Sequence, residues 1–314
     1  MAQHQTQTIP ESRQVKILVI GGGVSAERDV SLRSSKAVYD ALIAIGHEAY
    51  LYDWDGTKEW LIENVSLFDQ IFPILHGVGG EDGTIQKILV DLNARYLGTD
   101  MDHSILCMDK QKTRDILAGH SILVPFGEVV TFDQYRNHDL YNKPHVLKPV
   151  DGGSSIDTFI YPDIAFREID QVKQSFATEN SYLLEEYIEG IETTVPVLDG
   201  KVMPMIEIVP PQDELFDYEN KYNGKTAELC PPQNVDAAVQ QQMQELAQSV
   251  HEIMGCRHLS RTDMIFSDGK IYVLEINTMP GLTAQSLFPL SARTLGLSFE
   301  ELVDHMVTIV GKDS

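Results

Sequence analysis

The chain has 314 residues, enough for about two or three domains with well-filled cores. Acidic residues number 47 against 24 Lys and Arg, and the formal charge of -23 argues against nucleic acid or an anionic membrane as a main partner. The three cysteines match neither a disulfide framework nor a zinc motif, and no run of about eighteen apolar residues occurs. We therefore expect a cytoplasmic protein that is neither secreted nor membrane-spanning, with a disordered tail over residues 1–14.

The first third of the chain alternates between predicted strands and predicted helices. An apolar run at 15–20 ends in three glycines, and apolar residues then recur at helical spacing up to Gly46. Further strands are predicted at 48–52 and 70–75. Because strands that alternate with helices form parallel sheets, we predict an α/β domain with a parallel sheet over residues 15–98.

Two polar side chains follow strands of this predicted sheet. Glu27 lies beyond the glycine turn, and His76 opens a glycine-rich loop that ends at Gly83. Ligands of such sheets gather beyond the carboxyl ends of the strands, so both side chains are candidates for ligand binding. The loop is equally well explained as a plain turn in which Glu81 and Asp82 cap the next helix.

The glycine turn also admits a different function. Residues 21–26 formally satisfy the GxGxxG/A pattern after a strand, and Asp53 ends the second strand as a ribose-binding acid does in dinucleotide-binding oxidoreductases. Against this interpretation, Glu27 and Asp29 place negative charge where a phosphate would meet the helix. A carboxylate that holds a substrate ammonium is the better explanation of Glu27.

The pattern changes to α+β beyond residue 98. For residues 99–185 we predict a helix at 102–119 and short strands at 126–130, 145–148 and 156–161. For residues 186–314 we predict paired strands hinged at Asp199, a polar loop through Pro232, a helix at 235–254, a hairpin at 261–281 and a closing helix at 299–310. The chain is thus divided into a tail and three predicted domains.

The predicted hairpin carries the most informative pattern. Arg261, Asp263, Glu275 and Asn277 alternate with apolar neighbours, so several oxygen ligands and one guanidinium can share a face. Mg²⁺ prefers oxygen ligands together with substrate phosphates, which makes a metal-nucleotide site the first hypothesis. We expect a three-residue loop at 267–269, because it pairs residue 261 with 275 and places 263 diagonal to 275. An exposed hairpin with solvated charges is the alternative.

A glycine-serine loop follows the strand that ends at Lys148. Ser154 and Ser155 offer hydroxyl and amide donors that can wrap phosphate oxygens, and Lys148 is placed beside them as a point charge. The loop is not a Walker A motif, since no GK[ST] follows. It is not a nucleophile elbow either, since Ile156 replaces the last glycine of GxSxG. A flexible linker would have a similar composition.

Other polar residues carry weaker signals. Lys110 lies on a predicted helix, and three acids flank an apolar strand edge that could bind a purine and its ribose: Glu185, Glu186 and Glu192. Lys221–Tyr222 lies in a polar stretch that could form a lid. Taken alone, each of these residues is equally consistent with solvated surface.

In combination and in this order, the motifs resemble those of the D-alanine:D-alanine ligase family of the ATP-grasp superfamily. The resemblance extends from about Val15 to Asp304. It rests on segments 22–31, 76–83, 108–110, 148–149, 153–155, 221–222, 261–263 and 275–281. The family implies an ATP-grasp architecture, in which the N-terminal parallel-sheet domain is followed by two α+β subdomains that enclose ATP.

The resemblance also implies roles for individual residues. The residues implied to bind ATP are Lys110, Lys148, Ser154, Ser155, Glu185, Glu186, Ile188, Glu192 and Lys221. The residues implied to hold two Mg²⁺ ions, for which Mn²⁺ could substitute, are Asp263, Glu275 and Asn277. Glu27 would hold the ammonium of the first D-alanine, with Ser154 and Tyr222 as its hydrogen-bonded partners and His76 lining the same pocket. Ser286 and Leu287 would receive the carboxylate of the second D-alanine. Arg261 and the amide of Gly281 would hold the tetrahedral intermediate.

The implied function is ATP-dependent ligation of two D-alanine molecules through an acyl phosphate, for peptidoglycan precursors, by a homodimer. Tyr222 would favour D-alanine as the second substrate, since Phe at this position goes with D-lactate in the family. The alternatives are a related ligase with another amino or hydroxy acid acceptor and a non-catalytic nucleotide-binding protein. Asp157 favours the latter, because it stands where the family usually has Gly and could hinder closure of the loop.

Overall fold

The computed structural model describes residues 14–153, 157–167, 169–179, 181–211 and 225–312. Of the predicted residues, the tail up to 13, Ser154, Ser155, Lys221 and Tyr222 lie outside the described residues. The described residues form three β-sheets, which we call the N-terminal, central and C-terminal sheets. No helix in this part of the chain is long and apolar enough to cross a membrane.

The N-terminal sheet is parallel, as the alternation of elements predicts. Its elements are β1 (Lys16–Gly22), α1 (Arg28–Ala44), β2 (Glu48–Trp54), α2 (Glu59–Asn64), β3 (Gln70–Pro73) and α3 (Thr84–Asp91). The strand order is β2-β1-β3, so the central strand β1 is hydrogen-bonded on both sides. Its residues from Ile17 to Gly22 are buried in succession, as expected of a parallel strand that is covered on both faces.

The central sheet is antiparallel, with strand order β4-β7-β5-β6. Its elements are α4 (Met101–Met108), α5 (Lys110–Gly119), β4 (Gly127–Val130), α6 (Phe132–Asn137), β5 (His145–Pro149), β6 (Phe159–Tyr161), α7 (Ile169–Glu179) and β7 (Tyr182–Glu186). The prediction of one helix over 102–119 is wrong. Asp109 breaks it with an extended backbone (ψ 100°), and its side chain caps α5 by accepting from the Lys112 amide.

The C-terminal sheet is also antiparallel, with strand order β11-β10-β8-β12-β13 and β9 paired to β8. Its strands are β8 (Ile191–Leu198), β9 (Lys201–Val202), β10 (Ile206–Val209), β11 (Ala227–Leu229), β12 (Leu259–Ser267) and β13 (Lys270–Asn277). The helices of this part are α8 (Ala237–Ile253), α9 (Leu287–Thr294) and α10 (Phe299–Gly311). The long helix, the hairpin and the closing helix therefore lie where the sequence predicts them.

The loop and register predicted for the β12–β13 hairpin are wrong. Ser267 pairs with Lys270, which leaves the two-residue loop 268–269, and both loop residues have positive φ (48° and 76°) as a type I′ turn requires. Further from the turn, the register shifts beside Asp263, and Leu274 is the extra residue of a β-bulge. Asp263 therefore pairs directly with Glu275 instead of diagonally. The two carboxylates still share one face of the sheet.

The closing helix α10 ties the C-terminal part of the chain to the N-terminal sheet. Met306 and Val310 of α10 belong to one buried cluster with Ile17 and Phe72 of the N-terminal sheet. The Gln70 side chain adds a hydrogen bond of 3.0 Å to the carbonyl of Val307. Each fully buried side chain of this size contributes roughly 1.5–3 kcal/mol. This packing holds the loops after β1 and β3 against the loop after β13, where the candidate site lies.

Candidate functional site

Two cavities open beside the C-terminal sheet and meet at Glu275, which lines both. The first has a volume of about 490 Å³ and is lined by strands of the central and C-terminal sheets, with apolar walls that include Val146, Ile188 and Ile265. The second has a volume of about 680 Å³ and is lined by Glu27 and by the loops after β3 and β13. An apolar wall with a few polar groups suits a purine, whereas the second cavity suits a small charged substrate.

Strand β12 connects the two cavities through a buried ion pair. Asp263 lines the first cavity and Arg261 lines the second, and the two side chains lie on one face because they are two residues apart. Nε and Nη2 of Arg261 each donate to an Asp263 carboxylate oxygen over 3.0 Å. Burial opposes the charge of Arg261, yet the pairing with Asp263 more than offsets it and raises the pKa of the guanidinium. Arg261 is therefore a permanent positive charge at the boundary of the two cavities.

The donor set around Asp263 fits a hard divalent cation. Thr194 Oγ1 donates to Asp263 over 2.5 Å and Asn277 Nδ2 over 3.0 Å, while Glu275 is its cross-strand partner. No group of three His, Cys, Asp or Glu side chains able to hold a metal occurs in the described ranges. A metal here would rest on two carboxylates, the Asn277 amide oxygen and phosphate oxygens, which is a common set for Mg²⁺.

Two lysines from different elements lie at the phosphate end of the first cavity. The break at Asp109 makes Lys110 the first residue of α5, where its amide donates to the Val150 carbonyl over 2.8 Å and its ammonium donates to the carbonyl of Gly152. Burial lowers the pKa of Lys110, Glu275 partly offsets this effect, and the neighbouring Lys148 adds to it. The two ammonium groups form a concentrated positive charge beside the glycine-serine loop.

The acids predicted to contact the purine and its ribose have different environments. Glu185 is buried and its carboxylate lies between Lys148, at 2.5 Å, and Arg114. Glu186 accepts from the amide of Phe126 over 2.9 Å. These two acids line the cavity together with Ile188 and Glu192, so all the described residues predicted for ATP meet in one place. They are Lys110, Lys148, Glu185, Glu186, Ile188 and Glu192.

Glu27 and Glu81 form the acidic side of the second cavity. Glu27 is only 8% exposed, and Cβ atoms added at Gly77 and Gly153 would lie 2.4 and 2.7 Å from its carboxylate. The N-terminal loops and the glycine-serine loop therefore converge on Glu27. Burial, together with the charge of Glu27, raises the pKa of Glu81 to about 7.

Glu81 joins two loops that are far apart in the sequence. One carboxylate oxygen accepts from the Gly77 amide over 2.9 Å, and the other accepts from the Met279 amide over 3.0 Å. From the sequence, Glu81 is interpretable only as a helix cap, and its contact with Met279 spans 198 residues without any local signal. Glu81 is thus a structural member of the site that sequence reasoning missed.

His76 is a buried neutral imidazole in the second cavity. Burial lowers the pKa of His76 to about 4. Nδ1 lies 3.0 Å from the Met279 carbonyl, so it carries the proton, and Nε2 lies 3.4 Å from the hydroxyl of Ser34. His76 can therefore orient the loop after β13, but it adds no positive charge to the substrate cavity at neutral pH.

The far wall of the second cavity is the beginning of α9. Ser286 precedes the helix and its hydroxyl accepts from the Thr283 amide over 3.1 Å, while Leu287 is the first helical residue. The unpaired amides of a first helical turn bind carboxylates well. A Cβ atom at Gly281 would lie 2.9 Å from Ser286 Oγ, so only glycine fits closely there. Ser286, Leu287 and Gly281 all line the cavity, as the sequence predicts.

The glycine turn after β1 is contacted by side chains of the chain itself. Arg28 donates to the Asp53 carboxylate over 2.7 Å, and a Cβ atom at Gly22 would lie 2.1 Å from Asp53 Oδ1. The acid that a dinucleotide-binding protein would use is therefore engaged with the chain's own arginine. Nothing in the described structure favours the oxidoreductase alternative.

Comparisons with known proteins agree with this geometry. A family model described as the C-terminus of D-ala D-ala ligase matches residues 133–308. A D-alanine–D-alanine ligase from Maridesulfovibrio salexigens is 36% identical over 297 residues, which cover 93% of this chain and 97% of that protein. Another, from Mannheimia succiniciproducens, is 37% identical over 302 residues, which cover 93% of this chain and 96% of that protein.

A solved structure has the same fold. The D-alanine–D-alanine ligase from Bacillus anthracis complexed with ATP superposes with a TM-score of 0.80 at 30% identity. The superposition covers 95% of this chain and 98% of that one. The similarity of fold therefore extends over nearly the whole of both chains.

Proposed function

Because the chain belongs to the D-alanine–D-alanine ligase family, with its ATP-grasp architecture, we propose that it joins two D-alanine molecules at the expense of ATP, giving D-alanyl-D-alanine for peptidoglycan precursors. The observation that carries the proposal is the Arg261–Asp263 ion pair at the boundary of the two cavities. Asp263 lines the cavity proposed for the nucleotide, Arg261 lines the cavity proposed for the amino acids, and Glu275 lines both. The proposed sites of phosphoryl transfer and of amide formation are therefore adjacent.

A carboxylate is a poor acyl donor, so the reaction begins with its activation. A carboxylate oxygen of the first D-alanine attacks the γ-phosphorus of ATP, ADP leaves, and an acyl phosphate forms. Lys110 and Lys148 neutralise the phosphates during this transfer. Asp263, Glu275 and Asn277 would hold Mg²⁺, or Mn²⁺ in its place. When bound, Mg²⁺ neutralises further phosphate charge.

Amide formation follows in the second cavity. The neutral amine of the second D-alanine attacks the carbonyl carbon of the acyl phosphate to form a tetrahedral intermediate. The nitrogen then loses one proton, and phosphate leaves with the electrons of the C–O bond, which gives the amide. Arg261 and the Gly281 amide would stabilise the oxyanion of the intermediate. Glu27 would hold the ammonium of the first D-alanine, and the amides at Ser286 and Leu287 would hold the carboxylate of the second.

The proposal also includes the domain boundaries, the oligomeric state and the cellular location of the protein. The three sheets support domain boundaries close to 15–98, 99–185 and 186–314, with two subdomains enclosing ATP. We expect a cytoplasmic protein that forms a homodimer. Light scattering of the purified protein would test the dimer by its mass in solution. A mass of one chain at micromolar concentration would contradict the dimer and leave the activity untouched.

The reaction is tested by ADP release from ATP in the presence of D-alanine, with the product identified by mass. We expect D-alanyl-D-alanine, no product from L-alanine, and no ADP release without amino acid. D-serine and D-lactate as acceptors separate the dipeptide ligase from a ligase with another acceptor. If ATP is not consumed with any of these acceptors although it binds, the chain is a non-catalytic nucleotide-binding protein and the proposal is wrong.

A further inference from the structure

We propose that Arg114 is a positioning residue that sets how tightly the nucleotide's phosphates are held, by neutralising Glu185 so that Lys148 remains available to them. The identity of the nucleotide rests on the proposed function, whereas the role of Arg114 rests on the contacts of the described residues. Arg114 is 7% exposed, lies on α5 and is not among the residues that line the nucleotide cavity.

Arg114, Glu185 and Lys148 form a buried row of alternating charges. Arg114 Nη1 donates to Glu185 Oε1, and its Nη2 donates to the carbonyl of Gly127 over 3.1 Å. On the opposite side of the carboxylate, Lys148 Nζ lies 2.5 Å from Glu185 Oε2. Glu185 and Lys148 are 2% and 9% exposed, so water screens these charges weakly.

The net charge of this row determines whether Lys148 is available to bind a phosphate. Glu185 and Lys148 alone would form an ion pair without net charge. A phosphate would then have to compete with the buried Glu185 carboxylate for the Lys148 ammonium. With Arg114 the row has two positive charges and one negative charge. Arg114 thereby weakens the hold of Glu185 on Lys148 and leaves one positive charge for an anion. Lys110 adds a second positive charge at the same end of the cavity.

A purely structural role is the competing explanation, because the bond to Gly127 also ties α5 to β4. The two roles differ in which part of the nucleotide is affected. Loss of neutralisation strengthens the hold of Glu185 on Lys148 and weakens the binding of phosphates, whereas Glu186 and Ile188 still contact the purine as before. A displaced β4 would disturb the purine wall as well, because Gly127 pairs with Glu185 in the sheet.

The test measures nucleotide binding by calorimetry, without D-alanine, using the non-hydrolysable ATP analogue AMPPNP with Mg²⁺ and, separately, adenosine. We expect Arg114→Met to weaken AMPPNP about tenfold, the effect of losing one charge-assisted interaction, with the affinity for adenosine unchanged. Arg114→Lys keeps the charge and is expected to bind AMPPNP within about threefold of the wild type. Arg136→Met, on the exposed surface of α6, is the matched control.

Removing the partner charge gives the sharper comparison. In the Glu185→Gln background there is no carboxylate to neutralise, so adding Arg114→Met should change AMPPNP binding by less than about threefold. This double variant keeps Lys148, which lines the cavity, and with it the single net positive charge of the wild-type row, so it decides the matter even if Arg114→Met alone does not fold. An equal loss in both backgrounds, or an equal loss for adenosine, would overturn the role of Arg114. Wild-type protein that binds AMPPNP but forms no dipeptide would overturn the proposed function alone.

Discussion

Asp263 lies directly opposite Glu275 in the β12–β13 ladder because Leu274 is the extra residue of a bulge. The two-residue turn at 268–269 by itself would pair residue 263 with 274 and send the two carboxylates to opposite faces, since side chains alternate along a strand. One bulged residue reverses that alternation. The candidate metal site is therefore a product of strand pairing as well as of residue type.

The paired carboxylates lead to a prediction about metal affinity. Glu275→Gln removes one of two charged ligands, so we expect at least about tenfold more Mg²⁺ to be needed for half-maximal ADP release. Removal of divalent cations by EDTA should abolish ADP release by the wild type. Both are measured by titrating Mg²⁺ at fixed ATP and D-alanine. Glu300→Gln, on the exposed first turn of α10, should leave the titration unchanged.

Arg261 leads to a prediction about the rate of amide formation. In Arg261→Ala the oxyanion loses its charged donor, so kcat should fall about 10²- to 10³-fold, or by about 2.7–4 kcal/mol of barrier. Circular dichroism should show an unchanged fold, because Asp263 keeps its hydrogen bonds from Thr194 and Asn277 when Arg261 is removed. Arg136→Ala, at an exposed position of α6, controls for loss of an arginine. Near-normal turnover of Arg261→Ala would contradict its assignment to the oxyanion.

The individual charged groups of the site could be predicted from sequence because their signals are local. Arg261 and Asp263 are two residues apart on a strand, and the lysines and glycines occur in short motifs. The partnerships between distant segments could not be predicted. Arg114 is 71 residues from Glu185 in the sequence, and no local sequence pattern indicates that a residue of α5 contacts a residue of β7. The bulge at Leu274 was missed for the same reason, because it depends on how β12 pairs with its neighbours.

Asp157 leads to a prediction about the glycine-serine loop. It is exposed and has a φ of 53°, in the left-handed region that Asp tolerates better than most residues and Gly tolerates best. Because the side chain points to solvent, we expect Asp157→Gly to change kcat and the KM for ATP by less than about twofold. Asp157→Val should lower the free energy of unfolding by about 1–2 kcal/mol. A large fall in the KM for ATP on Asp157→Gly would instead show that the carboxylate repels the triphosphate.

Glu81 leads to a prediction about stability and pH. Burial raises its pKa from 4.5 in the unfolded chain to about 7 in the folded protein, so between these values the folded state holds a proton that the unfolded state releases. The contribution of Glu81 to the free energy of unfolding therefore falls as pH rises from about 4.5 to about 7, by at most about 3 kcal/mol. His76 acts in the opposite direction, because its pKa is lowered from 6.5 to about 4 and the unfolded state binds the extra proton.

Because these two effects overlap, the measurement compares the wild type with Glu81→Gln across pH 4.5–8 by urea denaturation. Glutamine keeps an acceptor for the loop amides and does not titrate, so His76 contributes equally to both proteins and cancels. We expect the variant to gain stability relative to the wild type as pH rises towards 7, with no further change above it. Glu59→Gln, on the exposed first turn of α2, should show a flat difference. A flat difference for Glu81→Gln as well would mean that burial and the charge of Glu27 do not raise the pKa of Glu81.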